Sequence, residues 1–534
     1  MGRKIFIGGA WPYANNSMHI GHLAALLPGD VLARFHRQKG NEVIYVSGTD
    51  SHGTPITLRA KAEKVSPEKI ASLYHEEFSK NFNDLNFSYD LYSSTSSDYH
   101  KKLVEDFFVK IYENGYIYEK EEEQDFCQKC ETYLSDREIE GTCPHCKGHA
   151  KGDQCESCLR TLSPNEILEK VCKQCNGGLI MKKNKHLYFK LSAFQEEIER
   201  LVKKNEGSWR KNAVNESRKY LDMGLRDRAT TRQLDWGVDV PIEGYKDKRI
   251  YVWIEAVMGY LTAGNFVAQQ KGIDFKEFLK DEKDLTIYFV HGKDNIPFHT
   301  VIFPALLKAI DEQFVLPHHI ISSEYVNVNE EKMSKSKGNL LTVNELVENY
   351  NKDTIRYYIT AFGPEKRDVN FSENDLIQTH NKFLVGVLGN FINRNLSFIK
   401  KKFEGRIVES EIDKEIKALT KETFEKVDSL MEQGELRSAI DACMNYVYAG
   451  NKYYDEQKPW IKVKEDITEF NKITYTCVYM IVNIANMFAP FMPDTCDSIL
   501  EMLGLKKNAW GEVKLKGDLH IKETKLLFER MDLK

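Results

Sequence analysis

Long apolar runs are missing from this 534-residue chain. No stretch approaches the roughly 20 consecutive apolar residues that span a bilayer, so a membrane-spanning helix is excluded. The opening MGRKIFIGGAWPYANN has no extended apolar leader core, which argues against a secretory signal. Positive charge is not in excess: the net charge of −5 excludes a global basic field of the kind that coats nucleic acid, although local patches remain possible. Internal repeats and low-complexity linkers are absent too. The expectation is a cytoplasmic protein with reduced thiols. With 42% hydrophobic and 29% charged residues, it has enough apolar content to bury several cores. At roughly 150 residues per domain, the length suggests three or four domains.

What is present is ordered along the chain. KIFIGG (4–9) reads as a buried strand. MHIGHLAALLPGDVLARFHRQKG then carries apolar residues at helical spacing, with Ser17 as candidate N-cap, Gly40 as stop and a kink expected at Pro28. NEVIYVSGTDSHG follows as a strand. Strand, helix, strand in this order starts a parallel sheet. Strand patterns return at RIYVWI (249–254), LTIYFVHG (285–292) and HHIISS (318–323). From about residue 371 onward the pattern is amphipathic helix. One example has apolar positions at 376, 380, 384, 388 and 391, His380 included.

Eleven cysteines are unevenly placed. Cys443, Cys477 and Cys496 stand singly in apolar helical patterns and read as core. The other eight form four CxxC pairs: Cys127/Cys130, Cys143/Cys146, Cys155/Cys158 and Cys172/Cys175. Paired thiolates on tight turns suit tetrahedral Zn²⁺ with no open position, so two structural zinc sites are expected. A disulfide framework needs an oxidising compartment, and four redox CxxC motifs exceed what exchange chemistry requires. Spacing does not choose between adjacent and nested pairings. His145 and His149 lie nearby, but eight thiolates leave them no ligand role.

Two further segments belong together. His19 and His22 occupy the first turn of the predicted helix, three apart and on one face, where free backbone N–H groups and the helix dipole favour anions. Residues 330–341, EEKMSKSKGNLL, follow a strand and carry Lys332, Ser334, Lys335, Ser336 and Lys337. Lysines and hydroxyls on such a loop can close over a polyphosphate. With the imidazoles opposite, they would stabilise a pentavalent α-phosphate electrostatically, with no covalent intermediate.

At His19-Ile20-Gly21-His22 and Lys332-Met333-Ser334-Lys335-Ser336 the sequence resembles the class I aminoacyl-tRNA synthetases. PYANNSMHIGH, GTDSHGTPI, GTCPHC with GDQCESC, YVWIEAVMGY, HGKDNIPFHT, DTIRYY and DEQKPW extend the resemblance to the methionyl-tRNA synthetase family over essentially the whole chain. It implies an α/β fold, with a Rossmann-type parallel-sheet catalytic domain, a zinc-binding insertion and then an α-helical bundle that binds the anticodon. The expected divisions are 1–116 (catalytic, first half), 117–227 (insertion), 228–324 (catalytic, second half), 325–370 (KMSKS loop and stem-contact region) and 371–534 (bundle).

The resemblance also implies roles. His19, His22, Lys332, Lys335, Asp50 and Arg232 would be catalytic. ATP, accompanied by Mg²⁺, would be held by His19, Gly21, His22, Gly292, Asp294, Lys332, Ser334 and Lys335. Methionine would be held by Ala10, Trp11, Tyr13, Trp253, Ala256, Val257, Tyr260, Phe298 and His299, with Asp50 on the ammonium. Taken singly such aromatics are more often core, but aromatics do contact a thioether favourably. The knuckles would be nested, Cys143, Cys146, Cys155 and Cys158 inside Cys127, Cys130, Cys172 and Cys175. Asn390, Arg394 and Trp460 would read the CAU anticodon of tRNA(Met). The chain ends near FERMDLK without an appended domain, so a monomer is expected. Asn16, Ala25 and Val257 depart from residues common in the family. The competing readings are a cysteinyl- or isoleucyl-type synthetase and a catalytically silent tRNA-binding scaffold. The last is opposed by His19, His22, Asp50 and Lys335.

Overall fold

The computed structural model describes residues 2–134, 138–151, 154–155, 158, 162, 166–328, 331–332 and 341–533. The chain divides into two compact units, one of residues 1–104, 194–225 and 253–534, the other of 105–193 and 226–252.

The first unit is built on a five-stranded sheet. Its strands are β1 (Lys4–Gly9), β2 (Glu42–Thr49), β3 (Leu91–Ser94), β4 (Leu285–Gly292) and β5 (His319–Ser323), in the order β5-β4-β1-β2-β3. Every pairing is parallel. Near-continuous apolar runs suit strands covered on both faces. The chain leaves β1 for β2 on one side and reaches β4 on the other, so the strand order reverses at β1. Ligands of open α/β sheets bind at that switch point, beyond the carboxyl ends of the strands.

Helix α1 (Ile20–Gln38) connects β1 to β2 and runs on through Pro28. Its N-cap is His19, not Ser17, whose hydroxyl instead bonds Glu77 at 3.2 Å. Gly40 does take a left-handed conformation just past the end, with φ of 79°. A second correction falls at RIYVWI. Only Arg249–Ile250 is strand, and helix α2 (Val252–Gln270) begins two residues later. A short apolar run fits a buried helix as well as a strand.

The helices after residue 371 pack as a bundle within the same unit. Leu376, His380, Leu384, Leu388 and Phe391 are all buried, as expected. Steps of four are wider than the 3.6 residues of an α-helical turn, and His380–Gly389 is wound as a π-helix. Buried His380 bonds Thr354 at 2.9 Å and the Glu529 carbonyl at 2.8 Å.

One buried ion pair ties α1 to this bundle. Arg356, on helix α3 (Lys352–Phe362), meets Asp30 of α1 at 2.7 Å, both side chains fully buried. The guanidinium also donates to the carbonyls of Phe491 at 2.8 Å and Pro490 at 3.1 Å. Burial alone would raise the Asp30 pKa, but the charges of Arg356 and Arg34 outweigh it and hold the carboxyl low.

The second unit centres on a long antiparallel pair, Ile117–Cys127 with Leu179–Phe189, and carries all eight clustered cysteines. Among the described residues, no helix of the chain is long and apolar enough to cross a membrane.

Breaking one side of a buried ion pair strands the other charge. Arg356→Ala should therefore cost about 3–5 kcal/mol, read from urea unfolding. Lys39→Ala, at the partly exposed Lys39–Glu432 pair, should cost about 0–1 kcal/mol. Equal losses would show that Arg356 contributes no more than a surface charge.

Candidate active site

The turn after β1 places two imidazoles at the start of α1. The His19 backbone N–H donates to His22 Nδ1 at 3.2 Å, and the Gly21 N–H donates to His19 Nδ1 at 3.1 Å. Each side chain caps the helix, and the rings lie 3.9 Å apart. Burial lowers the His19 pKa to about 4 and that of His22 well below 6.5, with repulsion from His19 adding to the second. Both rings are thus neutral at pH 7. Because both Nδ1 atoms accept, the proton of each ring sits on Nε2. Two Nε2–H donors on a positive helix end form an anion-binding arrangement.

The segment following the lysine loop returns to this turn. The Ile20 N–H donates to the Leu341 carbonyl at 3.2 Å, and the Val343 N–H donates to that of Met18 at 2.8 Å. Of the loop itself, Ser334 and Lys335 lie outside the described residues, and Lys332 is described only as backbone, paired with Asn327.

The residues expected to hold methionine gather at and beyond the neighbouring strand ends. Ala10 continues β1, its N–H on the Val290 carbonyl at 2.9 Å, and Tyr13 pairs with Asp50 just beyond β2. Trp11 lies edge-on to Tyr260 at 6.3 Å. Its indole needs two glycines, since a Cβ on Gly48 would come within 2.2 Å of the ring and one on Gly259 within 2.5 Å. The buried Tyr260 hydroxyl bonds His299 Nε2 at 2.8 Å, while His299 Nδ1 lies 2.8 Å from the Asn295 carbonyl. His299 thus donates from Nδ1 and accepts from the tyrosine, and burial lowers its pKa to about 4. Trp253, 44% exposed, packs edge-on against Phe298 at 4.8 Å. Ala256 and Val257 are buried one turn along α2.

Asp50 is nearly fully buried, and burial followed by the nearby Glu255 charge pushes its carboxyl well above the usual range. A cation held there would reverse that shift. Gly292 ends β4, where a side chain would meet open space. Asp294, just beyond, accepts from the Tyr325 hydroxyl, and Lys293 bridges Glu324 and Asp368 at 2.7 Å each. Arg232 belongs to the second unit, where it lies 4.0 Å over the Tyr251 ring.

In that second unit the eight cysteines form two nested groups. Cys127, Cys130, Cys172 and Cys175 make one, and Cys143, Cys146, Cys155 and Cys158 the other, with the sulfurs of each group within 4.8 Å of one another. Cys127–Cys175 and Cys146–Cys155 are 3.4 Å apart, Cys130–Cys172 3.9 Å and Cys143–Cys158 4.0 Å. Four sulfurs at ~2.3 Å from a tetrahedral ion would be separated by ~3.8 Å, so the donor set and spacing fit a metal. Backbone N–H groups of Cys130 and Cys158 point at Cys127 and Cys155, at 3.3 and 3.4 Å, which favours thiolate.

On the bundle, Arg394 bonds Asp455 at 2.6 Å and lies 4.4 Å over the Tyr454 ring. Trp460 packs against Tyr454 at 5.6 Å and is 42% exposed, so its ring does not close the bundle core. Asn390 is exposed one turn before Arg394.

Residues 5–396 match the family described as tRNA synthetases class I (M), and residues 405–526 match the anticodon binding domain of methionyl tRNA ligase. The chain belongs to the methionyl-tRNA synthetase family. It is 45% identical over 531 residues to methionine–tRNA ligase 1 of Alkaliphilus oremlandii, covering 99% of this chain and 98% of that one. It is also 45% identical to a methionine–tRNA ligase of Bacillus cereus, covering 99% of this chain and 97% of the relative. In fold it is similar to the Mycobacterium tuberculosis methionyl-tRNA synthetase solved with methionyl-adenylate. The TM-score is 0.82 and the identity 24%, over 99% of this chain and 100% of that one.

For this family member, reading the sequence missed several supports of the site: Gly48 and Gly259 around Trp11, and the buried group of Glu255, His52 and His100. The motifs GTDSHG and YVWIEAVMGY contained four of these five residues, but nothing in their spacing reveals the contacts.

The neutral histidines make stability depend on pH. Burial lowers the folded pKa to about 4 for His19, His299 and His319 and to about 3 for His36, each from 6.5. Between these values and 6.5 the unfolded chain binds more protons. Their contribution is therefore complete above pH 6.5 and is lost as pH falls towards 4. Melting temperature should drop between pH 7.5 and 5.5, and less in His19→Asn, which keeps a capping side chain. The same drop in the variant would mean that His19 is not held neutral.

Proposed function

We infer that this chain activates methionine with ATP and then transfers the methionyl group to the 3′ end of tRNA(Met). In the first step the methionine carboxylate forms a bond to the α-phosphorus, the bond to the β-phosphate oxygen breaks, and pyrophosphate leaves. In the second, a ribose hydroxyl of the terminal adenosine attacks the carbonyl and AMP leaves. The observation carrying this reading is the pair of neutral imidazoles with Nε2–H donors at the start of α1, set beside the chain leaving the KMSKS segment. Preorganised donors of this kind stabilise the charge that grows on phosphate oxygens. Lys332, Ser334 and Lys335 would complete the enclosure, and Gly21, Gly292 and Asp294 would contact the nucleotide. Mg²⁺ accompanying ATP would offset phosphate charge. Ala10, Trp11, Tyr13, Trp253, Ala256, Val257, Tyr260, Phe298 and His299 would surround the thioether, with Asp50 on the ammonium. We read the enzyme as cytoplasmic and monomeric.

Amino-acid-dependent pyrophosphate exchange tests the assignment. Methionine alone among the amino acids should support exchange, and equal activation of leucine would remove it.

Zinc suits both thiolate groups, where it would cross-link segments that have little core of their own. The inner group is backed by Ala150, Leu162 and Ile167, the outer by Leu134, Ile139 and Leu179. Protein purified under reducing conditions without chelator should hold two zinc ions, and Cys143→Ser one. Absence of zinc by elemental analysis would refute the reading.

Asn390, Arg394 and Trp460 would read the anticodon. Base stacking on an aromatic contributes ~1–3 kcal/mol. Trp460→Ala should therefore lower kcat/KM for tRNA by about tenfold to a hundredfold, leaving methionine-dependent pyrophosphate exchange unchanged. Equal loss in both assays would point to packing instead.

A further inference from the structure

Behind the methionine pocket lies a polar cluster that the two reaction steps leave unused. Glu255 on α2 is fully buried, and its two carboxylate oxygens are taken by different histidines, His52 Nδ1 and His100 Nε2, at 2.8 Å each. Both rings are buried as well. His100 Nδ1 lies 2.9 Å from the Thr262 hydroxyl, which donates to the Gly259 carbonyl at 3.1 Å.

Both histidines of this cluster touch residues assigned to the pocket. The His52 backbone N–H points at an Asp50 carboxylate oxygen at 3.4 Å. The His100 ring lies 6.0 Å from that of Trp11, and Gly259 is one of the two glycines that admit the indole. Two segments distant in sequence thus converge on one carboxylate of α2. Burying a carboxylate is costly, and its attraction to its partners repays that cost only in part. The charge of Glu255 also reaches Asp50, where it opposes a second buried anion. Two buried carboxylates joined through one residue, His52, are mutually destabilising until a cation joins them.

We propose that Glu255 is a positioning and specificity residue of the amino-acid pocket: through His52 and His100 it fixes the Asp50 turn and the Trp11 wall, and its negative charge selects a ligand bearing an α-ammonium. The proposal deepens the methionine-activation reading and rests on it.

The test compares binding of methionine with binding of its desamino analogue, which keeps the thioether and the carboxylate, in wild type, Glu255→Gln and His100→Gln. Wild type should prefer methionine. Glu255→Gln keeps the shape but not the charge, so methionine affinity should fall about tenfold or more while affinity for the analogue changes less than about twofold. KM for methionine should rise with little change in kcat. His100→Gln, which leaves the carboxylate charged, should keep the preference. A purely structural role would weaken both ligands alike in Glu255→Gln, and that result would overturn the proposal. So would loss of the preference in His100→Gln, which decides the matter if Glu255→Gln does not fold. Should wild type itself show no preference, the substrate assignment fails first.

Discussion

The reciprocal cap at the start of α1 is the interaction on which the candidate site depends. Two backbone N–H groups, those of His19 and Gly21, occupy the Nδ1 atoms of His22 and His19. That single arrangement closes the helix end and leaves the ring protons on Nε2, while burial keeps both rings neutral. A Ser or Asp would cap as well, but it would leave no N–H donor on its outer side. On the proposed function, polyphosphate chemistry and helix termination would draw on the same two side chains. The β1 switch point supplies the location, because the parallel strands leading to Ala10, Asp50 and Gly292 end at the same edge of the sheet.

Much of this was legible in the sequence, for identifiable reasons. The first strand, helix and second strand are long, strongly patterned and local. The cysteine spacing specifies thiolate pairs, since tight turns impose it. RIYVWI misled because a buried helix and a buried strand are equally apolar over six residues. Ser17 looked like the cap because hydroxyls usually fill that role, whereas here the imidazole two residues later reaches the free N–H. Glu255, His52 and His100 lie up to 203 positions apart, so their meeting depends on tertiary packing alone. The same holds for Asp30 and Arg356.

Within the first unit, α1 has two attachments of different character. Its N-terminal turn carries the histidines, and its middle is held by Arg356, whose guanidinium also binds carbonyls at Pro490 and Phe491 of the bundle. The helix that presents the imidazoles is thus anchored, through one buried side chain, to the domain that carries Arg394 and Trp460. Ion pairs of Lys39 with Asp428 and Glu432 join the same partners at the far end of α1. These are partly exposed and contribute little singly. Misplacement of a catalytic group by about 1 Å can cost on the order of a hundredfold in rate, so on the proposed function this buried anchor of α1 would have a functional as well as a structural consequence.

The protonation of His19 and His22 is the most direct test. Nitrogen-15 NMR of protein labelled at histidine, with the two rings assigned from His19→Asn and His22→Asn, reports charge and tautomer together. Both rings should be neutral at pH 7, with the proton on Nε2 and Nδ1 unprotonated. An imidazolium at either position, or a proton on Nδ1, would contradict the capping arrangement and the donor geometry built upon it.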